Sequence, residues 1–446
     1  NLFIGQTVLS ITGNIDGDID NYHISKNGRY DLVLNGEIYN YKKLFKKYLS
    51  NNFKIVTQTD NEVLVNLHEV LDPISIYKSL DGMFAYSIYD KMTKNLTIAR
   101  DLIGEKILYK YNDDKIFIVS SEIRPIIEIL PSLKINKEKL KEYFHTRHLL
   151  TRRKTPFLGI ELISPGNLMN YDLETGNIIV KHIIEPSDFI NPDLYFNNKS
   201  KSSKQLMEEL EGVIYNTAKK ITPKIDYYSV LSGGVDSSIL SFYMEKINPP
   251  KGFVTLQFPK KDNTNLNLLP FEKKLGRKID SVIVDVNKFV NYIPKCYKVT
   301  CSPFSTHSFV SQAILSEYVK QNNAKVLIGG DGADELFGGY EFYKSLSEKI
   351  KIFPNFNISV YSGYVLSNLK FNKWNSEIMK NKINSLWDSF SRFYSFEKDP
   401  ESRALQVALY SDSVIQLESV GIRSSDSMSM LNSVEHRSPF LNKDII

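Results

Sequence analysis

The stretch Ser232-Gly233-Gly234-Val235-Asp236-Ser237-Ser238 has the residue types of an anion site, set between an apolar run and a helical one. Glycines let a backbone approach an anion and turn its N–H groups inward. The hydroxyls of Ser232, Ser237 and Ser238 add donors, and the start of a helix adds the positive end of a dipole. Asp236 inside such a nest would repel phosphate unless a cation lies between them, which points to Mg²⁺ held by Asp236. The Lys of the Gly-x-x-x-x-Gly-Lys-Ser/Thr loop is missing, so γ-phosphate transfer of the kinase or GTPase kind is not implied. A Gly-Gly turn alone is more often structural; the Asp-Ser-Ser that follows shifts the balance to pyrophosphate. A second cluster, Gly329-Gly330-Asp331-Gly332-Ala333-Asp334-Glu335-Leu336-Phe337-Gly338-Gly339-Tyr340, sets three carboxylates among five glycines. Alone it could be an exposed loop; after an apolar strand it would more plausibly face a metal-nucleotide.

The elements needed to hold these residues are legible in outline. Tyr227 to Leu231, Gly252 to Phe258, Ser281 to Val286 and Lys325 to Gly330 read as buried strands, and Ile239 to Met244 opens a helix. This alternation implies a doubly wound parallel sheet with its ligand at the strand carboxyl ends. The first ~165 residues instead read as β-rich and layered, α+β in class. Tyr30 to Leu34 is an apolar run broken by the turn dipeptide Asn35-Gly36. Phe84 to Tyr89 with Leu96 to Ala99 reads as one hairpin, and Tyr109 to Tyr111 with Ile116 to Val119 as another. Asp60 to Leu71 carries a helical stripe. A polar stretch with Pro186, Asn191, Pro192, Asn197 and Asn198 divides the chain into 1–183, a linker 184–203, and 204–446.

Composition narrows the function classes. Of 446 residues, 42% are hydrophobic and 24% charged, ordinary for a globular chain. The net charge of +5 comes from 56 basic and 51 acidic residues interspersed along the chain, which argues against a nucleic-acid partner. The basic run Lys42 to Lys47 carries Leu44, Phe45, Tyr48 and Leu49 at helical spacing and reads as a solvated helix face. Cys296 and Cys301, without a second pair, form neither a zinc pattern nor a disulfide framework and suit a reducing, cytoplasmic setting. No run approaches the ~18 apolar residues of a membrane span. The chain opens at Asn1 without Met and stops in mid-pattern at Ile446, so a fragment at both ends is expected.

Ser-Gly-Gly-x-Asp-Ser is similar to the pyrophosphate loop of the ATP pyrophosphatases, which activate a carboxylate or carbonyl oxygen as an adenylate. The run Gly329 to Tyr340 resembles the Ser-Gly-Asp/Glu-Gly-x-Asp-Glu-x-Phe-Gly-Gly-Tyr motif of asparagine synthetases. Asp426-Ser427-Met428-Ser429-Met430 and Glu435-His436-Arg437-Ser438-Pro439-Phe440-Leu441 match that family's late segment. Asn35-Gly36-Glu37-Ile38-Tyr39-Asn40, with Thr59-Asp60-Asn61-Glu62-Val63-Leu64, Asp81 to Ala85 and Ala99 to Lys106, resembles the class II glutamine amidotransferase domain, an N-terminal-nucleophile hydrolase of αββα fold. The resemblance covers nearly the whole chain.

It implies ATP and Mg²⁺ as cofactors and glutamine, aspartate and ATP as small-molecule partners, with no nucleic acid or membrane, and it allows a homodimer. Asp331 would serve the β-aspartyl-adenylate, and Asp236 with Asp334 the Mg²⁺. Leu231, Ser232, Gly233, Gly234, Asp236, Ser237, Ser238, Leu256, Gly329 and Gly330 would bind ATP. Asn35 and Gly36 would supply the oxyanion donors, and Glu37 and Asp60 would hold the glutamine α-amine. Arg437 and Glu435 would stand behind the site or form a buried ion pair. Three departures matter. Gly329 replaces a frequent Ser, Asn263 to Asn267 stands where the family has Asp-Glu, and Val8 replaces the Arg that grips the glutamine carboxylate. The nucleophilic Cys lies well upstream in the family and is not in this sequence. Two alternatives remain: the same fold closing an amide within one substrate, as in β-lactam synthetases and lasso-peptide cyclases, or a noncatalytic nucleotide-binding remnant.

Overall fold

Asn35 and Gly36 do not end the first strand, contrary to the turn expected from their types. In the computed structural model, which describes residues 2–13, 23–146, 153–259, 268–352 and 376–446, β1 runs unbroken over Tyr30–Ile38, with Asn35 opposite Ala85 and Gly36 opposite Phe84. Gly36 has φ +126°, and a Cβ there would lie 2.0 Å from the Met83 carbonyl oxygen. Close approach of the neighbouring strand, not reversal of the chain, calls for the glycine.

The first half is a stack of two antiparallel sheets between helices. β1 is followed by β2 (Gly82–Asp90), β3 (Asn95–Arg100), β4 (Tyr109–Asn112), β5 (Phe117–Ser120), β6 (Ile160–Leu162), β7 (Asn167–Asp172) and β8 (Ile178–His182). Their order is β1-β2-β3-β7-β8 in one sheet and β5-β4-β6 in the other. Alternation assigns the faces: Leu32, Leu34, Phe84, Tyr86 and Ile88 meet Val63, Leu64, Leu67 and Ile76 of the helices Asp60–Leu67 and Pro73–Ser79. Ala85, Leu96, Ile98 and Met169 meet Leu108, Phe117 and Val119 between the sheets. On the outer face of the second sheet, Tyr109 and Ile160 pack on Ile123 and Ile126 of the helix Ile123–Ile129. The result is the αββα layering expected for an N-terminal-nucleophile hydrolase domain.

The second half is a five-stranded parallel sheet. β9 (Tyr227–Val230), β10 (Gly252–Gln257), β11 (Ile279–Ile283), β12 (Val326–Ile328) and β13 (Glu435–Arg437) take the order β11-β10-β9-β12-β13, every pairing parallel. Tyr227, Val326 and Ile328 face Ile214, Ala218, Leu240 and Met244 of the helices Ser203–Ile221 and Val235–Ile247. Tyr228, Val254 and Leu327 face Tyr292, Phe309, Val310 and Met428 of helices on the other side. This is the doubly wound arrangement, with the order reversing at β9 and β12.

Residues 184–203 are not extended chain. A 3₁₀ turn at Pro186–Phe189 precedes a helix at Pro192–Ser200, capped where the Asn191 side chain accepts from Leu194 N–H at 3.0 Å. Asn and Pro, read as breakers, here start a helix. Tyr195 Oη and Lys199 Nζ then donate to Glu397 at 2.7 and 2.8 Å. The basic run folds as expected: Leu44 and Leu49 are buried while Lys42, Lys43, Lys46 and Lys47 are exposed. Among the described residues, no helix is long and apolar enough to cross a membrane.

Candidate active site

β9 ends at Val230, and Leu231 N–H donates to the Val254 carbonyl at 2.9 Å, so the chain leaves the sheet at its carboxyl edge. The helix Val235–Ile247 follows at once, with Gly234 at its N-cap and no side-chain cap. Its first N–H groups therefore remain for an anion. The serines also bond within the loop. Ser237 and Ser238 hydroxyls donate to the Gly234 carbonyl at 3.3 and 2.6 Å, and Ser232 Oγ lies 3.0 Å from Ser237 Oγ. These bonds brace the loop at the start of the helix. Leu256, half-buried near the end of β10, lies on the adjacent strand.

β12 delivers the second cluster beside the first. A Cβ on Gly330 would lie 3.4 Å from Asp236 Cβ and 3.5 Å from Ser237 N, so the two glycine turns are in contact. Burial raises the carboxyl of Asp334, and the charge of Asp236 raises it further; burial raises Asp236 as well. Two half-buried carboxylates that repel each other are suited to a shared cation. Among the described residues, no group of three or more His, Cys, Asp or Glu could hold a metal alone. A pair of carboxylates completed by phosphate oxygens is nevertheless the usual way a protein holds Mg²⁺. Asp331 is turned elsewhere: its Oδ2 lies 2.6 Å from His436 Nε2 on β13. His436, which sequence reasoning passed over, is thus in direct contact with a predicted site residue.

The amino-terminal half gathers its predicted residues at the end of β1. Thr59 caps the helix Asp60–Leu67 by accepting from Glu62 N–H, and Glu62 in turn accepts from Val56 and Thr57 N–H at 2.7 Å. Asp60 is thereby presented to the strand, where its Oδ2 accepts from Ile38 N–H at 2.8 Å. Burial pushes Asp60 up to about 6. Burial first, and then Asp60, raise Glu37 well above the carboxylate range. Glu37 is also 3.2 Å from Arg437 Nη2, off the hydrogen-bond axis, and Arg437 Nε donates to Glu435 at 2.7 Å. The residue expected to hold glutamine therefore also forms an ion pair with the other half of the molecule.

Further buried pairs cross the same seam. Arg100 Nη1 reaches Glu418 at 2.9 Å and Lys106 Nζ reaches Asp426 at 2.9 Å. The loop carrying Lys106 is held by Asp101, which accepts from the N–H groups of Ile103, Gly104, Glu105 and Lys106. A cavity of about 620 Å³ runs along the seam, lined by Val8, Asn35, Gly36, Glu37 and Asp60 on one side and Thr300, Asp426, Met430 and Glu435 on the other. Val8 brings no charge to it. Asn263 to Asn267 lie outside the described residues. Burial raises the thiols of both Cys296 and Cys301, so neither is an activated nucleophile.

Fold and site define a class: a glutamine amidotransferase-type αββα domain joined to a parallel-sheet nucleotide domain with a pyrophosphate loop. Comparison with known proteins gives the same division, the glutamine amidotransferase domain family matching residues 2–181 and the asparagine synthase family residues 219–446. The chain belongs to the asparagine synthase family. It is 30% identical over 319 residues to putative asparagine synthetase [glutamine-hydrolyzing] 1 of Methanocaldococcus jannaschii, covering 69% of this chain and 53% of that protein. It is 29% identical over 348 residues to the second such protein of that organism, covering 73% and 62%. Asparagine synthetase [glutamine-hydrolyzing] 1 of Bacillus subtilis is 26% identical over 323 residues, covering 71% and 48%. The chain thus spans about half the length of the curated relatives it matches.

Proposed function

We propose that this chain carries the ATP-dependent, amide-forming chemistry of an asparagine synthetase: adenylation of aspartate and transfer to it of ammonia from glutamine. The observation that carries this reading is the single cavity bordered by both the Glu37–Asp60 pair and the Asp426–Glu435 side of the nucleotide domain. Ammonia freed at one site needs a shielded route to the other, and this cavity leads from the glutamine residues to the Asp426–Glu435 edge of the nucleotide domain.

In this reading the α-ammonium of glutamine sits against Glu37 and Asp60, whose carboxyls burial raises and a bound cation would lower. Asn35 and Gly36 on β1 provide the oxyanion donors. Two parts of that chemistry are not among these residues: the family's nucleophilic thiol and the charge that Val8 replaces. At the other end, the loop Leu231 to Ser238 with Gly329 and Gly330 cradles ATP, and Leu256 lines its base. Asp236 and Asp334 hold Mg²⁺, which when bound offsets the charge of the phosphates. Asp331 serves the acyl-adenylate and its attack by ammonia.

A second reading keeps the nucleotide chemistry and retires glutamine. Val8, without charge where the family grips the substrate carboxylate, favours it; the loss of such a partner weakens glutamine binding by about 1–3 kcal/mol. Pyrophosphate release separates the readings. With ATP, Mg²⁺ and aspartate, release and asparagine formation are expected with ammonia, and with glutamine where the thiol is present. Activity with ammonia alone in a chain carrying the thiol would favour the second reading, and no release with any carboxylate would overturn both.

A further inference from the structure

We propose that His436 is a positioning residue for the synthetase reaction, holding Asp331 in a fixed orientation and away from the carboxylate pair Asp236–Asp334. This rests on the adenylation reading of the Asp331 loop. His436 is the middle residue of β13, and its side chain is 4% exposed against 30% for Asp331. Nε2 is 2.6 Å from Asp331 Oδ2, and Nδ1 is 2.9 Å from Gln312 Nε2. The Gln312 amide nitrogen also donates to Ser429 Oγ at 2.7 Å.

One direction of donation satisfies the whole chain. An ionised carboxylate only accepts, and the Gln312 amide nitrogen that faces Nδ1 only donates. Nε2 must then carry the proton and Nδ1 must accept. The Gln312 amide has two N–H bonds, one for Nδ1 and one for Ser429. The tautomer is thus set by residues of two helices, Ser308–Gln321 and Arg423–Met430, that lie behind the sheet.

Gly329 gives independent support. A Cβ there would fall 2.6 Å from His436 Cε1 and 2.8 Å from Asp331 Oδ2, so this glycine leaves the space the pair occupies. The need for a partner follows from position. Asp331 lies three residues before Asp334, which is in the helix Ala333–Phe337, and an unheld carboxylate would be drawn to a divalent cation there. His436 shares the hold on Asp331 with the Ser438 hydroxyl; Glu105 and Asp426 line with His436 a pocket of about 10 Å³, where burial raises the Glu105 carboxyl.

The test uses His436→Ala, His436→Asn and His436→Gln in the full chain. Gln can place an amide N–H near the Nε2 position, whereas Asn cannot. Ala and Asn are expected to lower kcat for pyrophosphate release about 100-fold, the scale of a 1 Å misplacement, with the KM for ATP little changed. Gln is expected to restore most of the loss. Wild-type turnover in the Ala variant, a loss confined to the KM for ATP, or a Gln variant as impaired as Ala would overturn the proposal. Imidazole ¹⁵N shifts of histidine-labelled wild type, assigned against the Gln variant, give a readout free of activity. A proton on Nε2 is expected; a proton confined to Nδ1 overturns it. Should the wild type adenylate no carboxylate, the function proposed above fails, and the tautomer alone decides whether His436 holds Asp331.

Discussion

Glu37 and Asp60 are held together without a counter-ion sufficient for both, and this has a thermodynamic consequence. Asp60 in the fold sits at about 6, against 3.8 for its ordinary value. Because the folded value is the higher, the unliganded fold is least penalised below pH 4 and loses stability as pH rises through 6, by about 3 kcal/mol in full. Asp60→Asn should therefore stabilise the unliganded chain at pH 8 in urea titrations while raising the KM for glutamine about 10-fold or more. Wild-type glutamine affinity should fall as pH drops below 6. Ammonia-dependent turnover should be unmoved by the substitution. His68 shows the opposite sign. Buried, with Nε2 unpartnered, it is pushed down to about 3 from 6.5, so it is neutral in the fold and protonates on unfolding. Stability present above pH 6.5 should be lost as pH falls through that value, about 2 kcal/mol by pH 5, and His68→Phe should flatten this slope.

At the scale of elements, sequence pattern and structure part company where a residue's local habit is overruled by a neighbour. Asn35-Gly36 has the composition of a turn, yet β2 runs close enough that only a glycine fits, and the strand continues. Gly36→Ala should cost about 3 kcal/mol or more in denaturant titration, since the backbone is in the positive-φ region and Met83 leaves no room for Cβ. An unchanged midpoint would show that β1 can retreat from β2 at no cost. The strands β9, β10 and β12 were legible because they are apolar runs ending in polar or glycine turns. β13 was not, because Glu435, His436 and Arg437 are charged or polar and two of them are buried against partners far along the chain, among them Asp331, Ile221 and Glu37. The pyrophosphate loop was legible as a local run of residues. The contact of His436 with Asp331 was not, being made between positions 105 residues apart.

At the scale of the molecule, the seam is the feature no local pattern announces: Arg100 finds Glu418 318 residues away, and Lys106 finds Asp426 across 320. Arg437 is the most consequential member. It is 3% exposed, pairs with Glu435 and Glu37, and donates through Nη1 to the Ile221 carbonyl at 2.7 Å. Exposed pairs such as Lys94–Glu174, at 53% and 63% side-chain exposure, sit in water and contribute little. Arg437→Met leaves two buried acids uncompensated, and breaking a buried pair this way costs about 3–5 kcal/mol. Calorimetry should show a lower midpoint and a broader transition in this variant than in the wild type, as the halves lose one of their buried ties while Arg100–Glu418 and Lys106–Asp426 remain. Loss of Arg437 also removes the main charge opposing the rise of Glu37. Less of Glu37 is then ionised at neutral pH, and glutamine should bind more weakly while ammonia serves as before. Adding Glu37→Gln and Glu435→Gln should recover much of the stability but not the glutamine response. Recovery of both would mean that the ion pair shapes the seam alone and that Glu37 does not meet glutamine.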